Sequence, residues 1–306
     1  MYDQTDPRAV LTQQSMQRPN PTEFAGADYL KFYQMPPAAQ DALSQSWYGR
    51  GQNFLVAFTK ARSGAKLSRT AQPDEYAILL PDTGTAIVVE AGGQEERIGG
   101  NHIVFVPPGD SRISVLEGGT IVRLFSHRAE DIAAVCANAA AYAAPQPNTA
   151  LLEPWPEPAD GYKIRSYSLH VPPTPGRFGR IFRCTTLMVN YLDPWEGPRD
   201  TAKLSPHHHD DFQQGSLALQ GEFVHHLRWP WTTDMNRWRS DDHELCGSPS
   251  LAVIPPPSIH TTQAIGKGTN QLVDLFSPPR LDFSLKPGWV LNANDYPMPA
   301  AAAPSA

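Results

Sequence analysis

The strongest constraint on the fold is an internal repeat. VFVPPGDSR, ending at Arg112, and VIPPPSIH, ending at His260, align at a constant offset of 148 residues, and each is followed by a Gly-containing turn and a closing apolar run, IVRLFSHR in one half and LVDLFSPPR in the other. A chain that repeats such a unit builds the same supersecondary structure twice. Short β-rich runs recur through both halves. In the first they are Phe54 to Thr59, Tyr76 to Leu80, Ala86 to Glu90, Ile103 to Val106 and Thr120 to Phe125; in the second, Lys163 to Val171, Ile181 to Leu192, Ser216 to Leu227, Leu251 to Ile254 and Gln271 to Phe276. Strands that return at such short intervals without helices between them pair antiparallel, and they close or stack to remove their edges. The 31 prolines and 22 glycines of this 306-residue chain supply the turns, and 41% hydrophobic residues supply a core.

The repeat sets the expected organisation. Residues 1–48 are polar and rich in Gln and Pro, and are expected to form an arm packed on the body or on a second subunit. Residues 49–128 form a first barrel, 129–160 an inter-domain helix and Pro-rich linker, 161–290 a second barrel, and 291–306 a disordered tail. The run Ala129 to Ala144 is the one long stretch of strong helix formers, stopped by Pro145. Cys136, Cys184 and Cys246 are odd in number and far apart, and read as buried thiols. A net charge of −6 argues against nucleic acid and anionic membrane as partners. With no long apolar segment or signal-like N-terminus, a cytoplasmic protein is expected.

The chemistry concentrates in PHHHDDFQQGSLALQG, Pro206 to Gly221. Alternate side chains of an extended segment share a face about 6–7 Å apart, so His207 and His209 converge while His208 turns away. Some forty residues later PPPSIH delivers His260 at the start of a strand. Three neutral imidazoles suit Fe, Zn, Cu, Ni or Mn and leave coordination positions open. Asp210 and Asp211 read mainly as solvent-facing.

These residues resemble the two motifs of the cupin superfamily, G(x)5HxH(x)3–4E(x)6G and G(x)5PxG(x)2H(x)3N. His207, His209, Gln214 and Gly221 match the first in spacing, with Gln in place of Glu and Thr201 in place of the leading Gly. Pro255 and His260 match the second, with Pro257 in place of Gly and Ala264 in place of Asn. The resemblance covers roughly residues 50 to 290. It implies an all-β bicupin, two double-stranded β-helix (jelly-roll) barrels with a short inter-domain helix, and one divalent metal per chain held by His207, His209, Gln214 and His260. Fe(II) is favoured, with Mn, Zn or Ni as alternatives, and Gln214 is a weak fourth ligand or a hydrogen-bond donor. Homodimer formation is expected by analogy. Sliding Gln214 onto Glu75 places Ser68, Thr70 and Arg112 opposite the three histidines. The first barrel is then degenerate and structural, with Glu75 and Arg112 expected as a buried pair.

His225 and His226 follow the Gly221 turn, and alternation sends one of them inward as a candidate acid or base. Arg228 is a candidate for holding a substrate carboxylate, as are Arg237 and Arg239. Trp229, Trp231 and Trp238 either wall a pocket or cap the barrel. The implied function is a non-haem Fe(II) dioxygenase acting on a small oxygenated molecule. The alternatives are a non-redox metal-dependent isomerase or lyase of a small hydroxy or keto acid or sugar, and a non-catalytic binding module.

Overall fold

The computed structural model describes residues 23–300. The first 22 residues of the expected arm and the last six of the tail lie outside the described residues. The architecture is all-β and duplicated. A long antiparallel sheet in each half faces a smaller one across a barrel interior. In the first half the long sheet runs in the order Arg165–Ser168, His102–Val106, Tyr76–Leu80, Gly119–Ser126, Phe54–Ala61, Ser44–Arg50, Ala39–Gln40. In the second it runs Asp28–Leu30, Ser250–Ile254, Gln214–Gln220, Thr269–Phe276, Met188–Tyr191, Arg180–Arg183. Strand for strand the two orders correspond. The smaller sheets are Lys66–Gln72, Gly109–Glu117, Ala86–Ala91, Gln94–Gly99 and Asp242–Cys246, Phe223–Arg228, Ile259–Ala264.

The halves exchange their outermost strands, which corrects the expected boundaries. Asp28–Leu30, read in the sequence as part of the arm, pairs with Ser250–Ile254 of the second barrel. Arg165–Ser168, assigned to the second barrel, pairs with His102–Val106 of the first. Each donated strand covers an edge that would otherwise expose unpaired backbone groups. The described part of the tail is also packed: Tyr296 is 1% exposed. The expected long helix is short. It spans Glu130–Val135 and is followed by a 3-10 turn at Ala139–Tyr142. Tertiary hydrogen bonds override helix propensity here. The Asn138 amide accepts from Arg50 N (3.0 Å) and donates to Arg50 O (2.8 Å), and Ala137 N donates to Tyr48 O (3.0 Å).

The outer faces of the long sheets pack together in one apolar seam that includes Phe54, Val56, Leu79, Phe105, Leu124, Phe182, Val189, Leu217, Val253 and Leu275. Gly215 is required there, because a Cβ would stand 2.8 Å from the Phe54 ring. Full burial of each large apolar side chain contributes about 1.5–3 kcal/mol, so this seam is a principal stabilising element. The first barrel is also filled with apolar side chains, among them Leu55, Tyr76, Ile78, Leu80, Ile87, Val89, Val104 and Ile113. The interior of the second is different. Its apolar residues split into small clusters at the ends, with His207, His209, Gln214, Ser216, His225, His260 and Asp274 buried between them. Cys136, Cys184 and Cys246 are free, buried thiols, as expected. Among the described residues no helix is long and apolar enough to cross a membrane.

The expected Glu75–Arg112 pair does not form. Arg112 is exposed and lies 3.6 Å from Glu90. Glu75 is buried, accepting hydrogen bonds from Tyr296 Oη (3.0 Å) and from Thr185 Oγ1 (3.1 Å). The cause is a difference in length between the two halves just before this strand. Five residues separate Val106 from the inward Ser111, against six from Ile254 to His260, so the constant offset of 148 breaks after the PP segment and Arg112 turns out. Tyr76, opposite Val106, therefore stands where Gln214 stands opposite Ile254. Its hydroxyl is 2.9 Å from Ser111 Oγ, so a tyrosine–serine contact replaces the Gln214–His260 contact.

Burial raises the Glu75 pKa. The folded state therefore holds its proton above the pH at which the unfolded chain releases it, and stability falls as pH rises through that interval. Glu75→Gln is expected to stabilise the protein by on the order of 1 kcal/mol at neutral pH, with the gain vanishing near the ordinary glutamate pKa of about 4, as read by thermal unfolding across pH.

Candidate metal centre

His207 and His260 are held together by reciprocal backbone hydrogen bonds, His207 N to His260 O (3.0 Å) and His260 N to His207 O (2.7 Å). This isolated antiparallel bridge points both rings into the second barrel. His209, two residues on, joins them as alternation requires. The ring centroids are 4.4 Å apart for His207–His260 and 5.1 Å for the other two pairs. The candidate ligand nitrogens all lie within 4.8 Å of one another, and the three residues are buried. Closing onto one ion at bonds of about 2.1 Å needs ring movements of around an ångström.

The chain orients these donors from behind. His207 Nδ1 lies 3.0 Å from Ser205 O, and His260 Nδ1 lies 3.0 Å from Ser258 O. A carbonyl only accepts, so each Nδ1 carries the hydrogen and each neutral ring directs the Nε2 lone pair inward. Gln214 is oriented by the same logic. Its Nε2 donates to Asp274 Oδ1 (3.0 Å), which turns Oε1 toward His209 Nε2 (3.0 Å) and His260 Nε2 (3.4 Å). An amide oxygen and a lone-pair nitrogen face each other at His260, and a cation between them would satisfy both. Three imidazoles and one amide oxygen thus fit a divalent ion of the first transition series. His209 stacks on Phe212 (4.4 Å) and meets Phe276 edge-on (6.0 Å). Beneath these rings Arg280 lies over Phe212, Phe276 and Phe283, 4.9, 4.8 and 3.9 Å from their centroids, and is paired with Asp282.

The second strand of histidines resolves by alternation. His225 is the inward residue, 0% exposed, with Nδ1 3.0 Å from Thr262 Oγ1 and Nε2 buried without a partner. His226 faces outward, with Nδ1 2.7 Å from His243 Nδ1 and Nε2 3.1 Å from Gln263 Oε1. Arg228 is also outward: its guanidinium is engaged by Asp241 at 2.6 Å and is largely exposed. His226 and Arg228 are therefore corrected from candidate catalytic groups to outer-face residues. His208 turns away from the centre to Asp210 (3.2 Å). Trp229 is buried beside Leu227 and Ile254, whereas Trp231 and Trp238 stack on each other outside, 4.6 Å apart. Arg237 lies near Asp234 (3.6 Å), and Arg239 lies over the Trp229 ring (5.0 Å).

Asp274 and Arg280 were not singled out in the sequence. A charge in the middle of the apolar run LVDLF was the available signal for Asp274. Nothing in FSPPR marks Arg280 as lying beneath a histidine. Tyr29 was missed as well; it arrives on the exchanged strand, 6.2 Å from the His225 ring, and donates to Asp242 Oδ2 (3.1 Å).

Burial, with the neighbouring Arg280, His207 and His260, holds the His209 pKa well below the ordinary histidine value, and burial pushes His225 down to about 3. Their folded pKa values lie below the unfolded one, so the stability they contribute is complete above about pH 6.5 and is lost as pH falls toward about 3. Metal-free protein is expected to lose thermal stability across that window, with a shallower loss in His225→Gln. His260→Ala is expected to reduce bound metal to below about a tenth of the wild-type content, and Gln214→Ala to weaken metal affinity about tenfold. Elemental analysis and metal titration read both.

No family model matches the chain, and no curated protein matches it. Solved structures do. An oxalate decarboxylase from Lactobacillus farciminis, solved as a formate complex, superposes with a TM-score of 0.56 at 13% identity, covering 88% of this chain and 89% of that one. A point mutant of Bacillus subtilis oxalate decarboxylase superposes with a TM-score of 0.56 at 12% identity, covering 87% of this chain and 82% of that one. A cupin 2 conserved barrel domain protein from Leptotrichia buccalis is also similar, with a TM-score of 0.47 at 9% identity over 84% of this chain and 100% of that one. At these identities the likeness is one of fold. Two corresponding sheet orders, an apolar seam between them and the three-histidine cluster inside the second barrel accord with it, and the chain has the bicupin fold.

Proposed function

We propose that the protein is a metal-dependent enzyme whose second barrel acts on a small oxygenated organic molecule, in the first instance as an Fe(II) dioxygenase. The observation that carries this reading is the neutral donor set: His207, His209, His260 and the Gln214 amide place no carboxylate against the ion. A divalent ion held by these residues would keep its full charge and would supply Lewis-acid chemistry or, as iron(II), redox chemistry with dioxygen. The chain's own part is to orient and to exclude. Ser205 O and Ser258 O fix the imidazole tautomers, Asp274 fixes the Gln214 amide, and Phe212 and Phe276 keep water from one side of His209.

His225 favours a second reading, a non-redox isomerase or lyase. Its depressed pKa keeps the ring neutral at physiological pH, and its buried Nε2 has no protein partner. Such a ring is placed to meet a substrate hydroxyl or a proton beside a polarised carbonyl, and it takes up a proton where the bound substrate raises its basicity. The oxalate decarboxylases that share the fold do so at 12–13% identity and do not choose between the readings.

The two readings separate on oxygen and metal. The dioxygenase reading expects turnover of small phenols, diketones or hydroxyketones with stoichiometric oxygen uptake, supported by iron and lost under anaerobic conditions. Equal aerobic and anaerobic rates, or equal activity with zinc or manganese, would sink it in favour of the non-redox enzyme. A protein purified without nickel that takes up no divalent metal would be a non-catalytic binding module.

A further inference from the structure

Two further imidazoles meet on the outside of the second barrel. His226 and His243 are directly opposed on neighbouring antiparallel strands of the smaller sheet. The next residue, Leu227, is paired with His260, so the pair lies on the reverse of the sheet that presents His260 to the interior. The two Nδ1 atoms are 2.7 Å apart and the ring centroids 5.0 Å apart. From the third strand Gln263 brings its Oε1 to 3.1 Å from His226 Nε2.

Hydrogen-bond chemistry fixes what each nitrogen offers. An amide oxygen only accepts, so His226 carries its hydrogen on Nε2 and turns the Nδ1 lone pair toward His243. In the neutral pair the hydrogen between the rings then belongs to His243 Nδ1. The His243 ring is exposed, so the hydrogen can pass to its Nε2, which faces water. Two lone pairs would then face one point, from side chains already held together by strand pairing. Nitrogens bound to one tetrahedral ion at about 2.1 Å stand about 3.4 Å apart, so the rings need to open by less than about an ångström.

The surroundings suit a cation of a particular class. Arg228, two residues along the same face, is neutralised by Asp241 at 2.6 Å, and Lys31 by Glu244 at 2.6 Å. Imidazole nitrogens favour zinc, nickel or copper(II), whereas magnesium and calcium take oxygen ligands. With two protein donors and water in the remaining positions, such an ion exchanges with the free metal in solution and leaves on dialysis. The metal content of the isolated protein therefore reports the inner centre alone.

The pair also stands at the foot of a long loop. Residues 229–241 join the strands Phe223–Arg228 and Asp242–Cys246. The exposed part of this loop carries Met235 and the stacked rings of Trp231 and Trp238. It is tied to the body by Trp229, which packs with Leu227 and Ile254, and by Arg239, which donates to Phe24 O (3.3 Å). Because Leu227 is opposite His260, the loop leaves the sheet at the histidine end of the barrel. An ion shared by His226 and His243 cross-links the two strands at its base, and such a clip removes open conformations of the loop.

We propose that His226 and His243 form a second divalent-metal site, outside the barrel, which takes zinc or copper(II) and clamps the base of the 229–241 loop. The site shares no ligand with the inner centre and does not depend on the proposed enzymatic function.

Calorimetric titration of metal-free, full-length protein with zinc is expected to show two classes of ion, one tight and one weak. His243→Ala, at an exposed position, and His226→Gln are each expected to weaken the second class by at least about tenfold and to leave the tight one in place. His260→Ala is expected to do the reverse. Trypsin cleavage after Arg237 and Arg239 is expected to slow by about threefold or more with zinc in the wild type, and to be unaffected by zinc in His243→Ala. A weak class that is absent from the wild type or unchanged in either variant overturns the proposal, as does loop cleavage that zinc does not alter. A single class lost in His243→Ala and kept in His260→Ala upholds the outer site and sinks the inner one. A single class with the opposite pattern overturns this proposal and leaves the metal-enzyme reading standing.

Discussion

The apolar seam between the two long sheets is the interaction on which the rest depends. A barrel that keeps polar or ionisable side chains such as His207, His209, Gln214, Ser216, His225, His260, Asp274 and Asn190 in its interior gives up much of the burial that would normally hold it together. Here the stabilisation comes from its outer face, where Leu217, Val253, Val273 and Leu275 pack against Phe54, Val56, Leu79 and Leu124 of the other half. The exchanged strands reinforce the seam by covering the sheet edges. Structural burden and chemistry are thereby divided between the two faces of one sheet, and alternation along the Gln214–Gln220 strand keeps them apart: Gln214, Ser216 and Ala218 point inward while Gly215 and Leu217 point into the seam.

Duplication followed by divergence accounts for the contrast between the barrels. The same strand order encloses an apolar interior in the first and a polar one in the second. Tyr76 and Ser111 occupy the places of Gln214 and His260 and satisfy each other through their hydroxyls. Arg69 pairs with Ser111 across the strands much as His207 bridges His260, and its guanidinium is taken up by Gln72 and Asp131. The first barrel thereby pairs the groups at the places of the histidines, while Arg123 lies buried over the Phe125 ring with its Nε unpartnered. The second leaves histidine lone pairs converging on one point and orphaned polar atoms on Asn190, Ser216 and His225 in the layer beside it, which is the arrangement expected of a site that completes itself with an ion and a ligand.

Much of this was legible along the chain. The repeated PP-containing segments, the returning β-runs and the spacing of His207, His209, Gln214 and Gly221 were enough to anticipate two barrels and the three residues that cluster. The errors have local causes. The connection from Val106 to the inward Ser111 is one residue shorter than that from Ile254 to His260, which reversed the inward side of the following strand and undid the Glu75–Arg112 pairing. The alanine-rich run after Ala129 was broken by hydrogen bonds from Asn138 to Arg50, a residue far away in sequence. Parity through the Gly221 turn could not be followed, so His226 and Arg228 shared candidacy with His225 until the strand pairing placed them outside.

The sequence by itself determined the duplicated all-β architecture, the position of the histidine cluster in the second half and the absence of histidines at the matching places in the first, because spacing and alternation are properties of a local chain. Tertiary structure alone decided which strands were exchanged between the halves, that Asp274 orients Gln214, that Arg280 lies under the site, and that Asn190, Ser216 and His225 share a layer. Those facts depend on which distant strands become neighbours, and that is not written in any one segment of the chain.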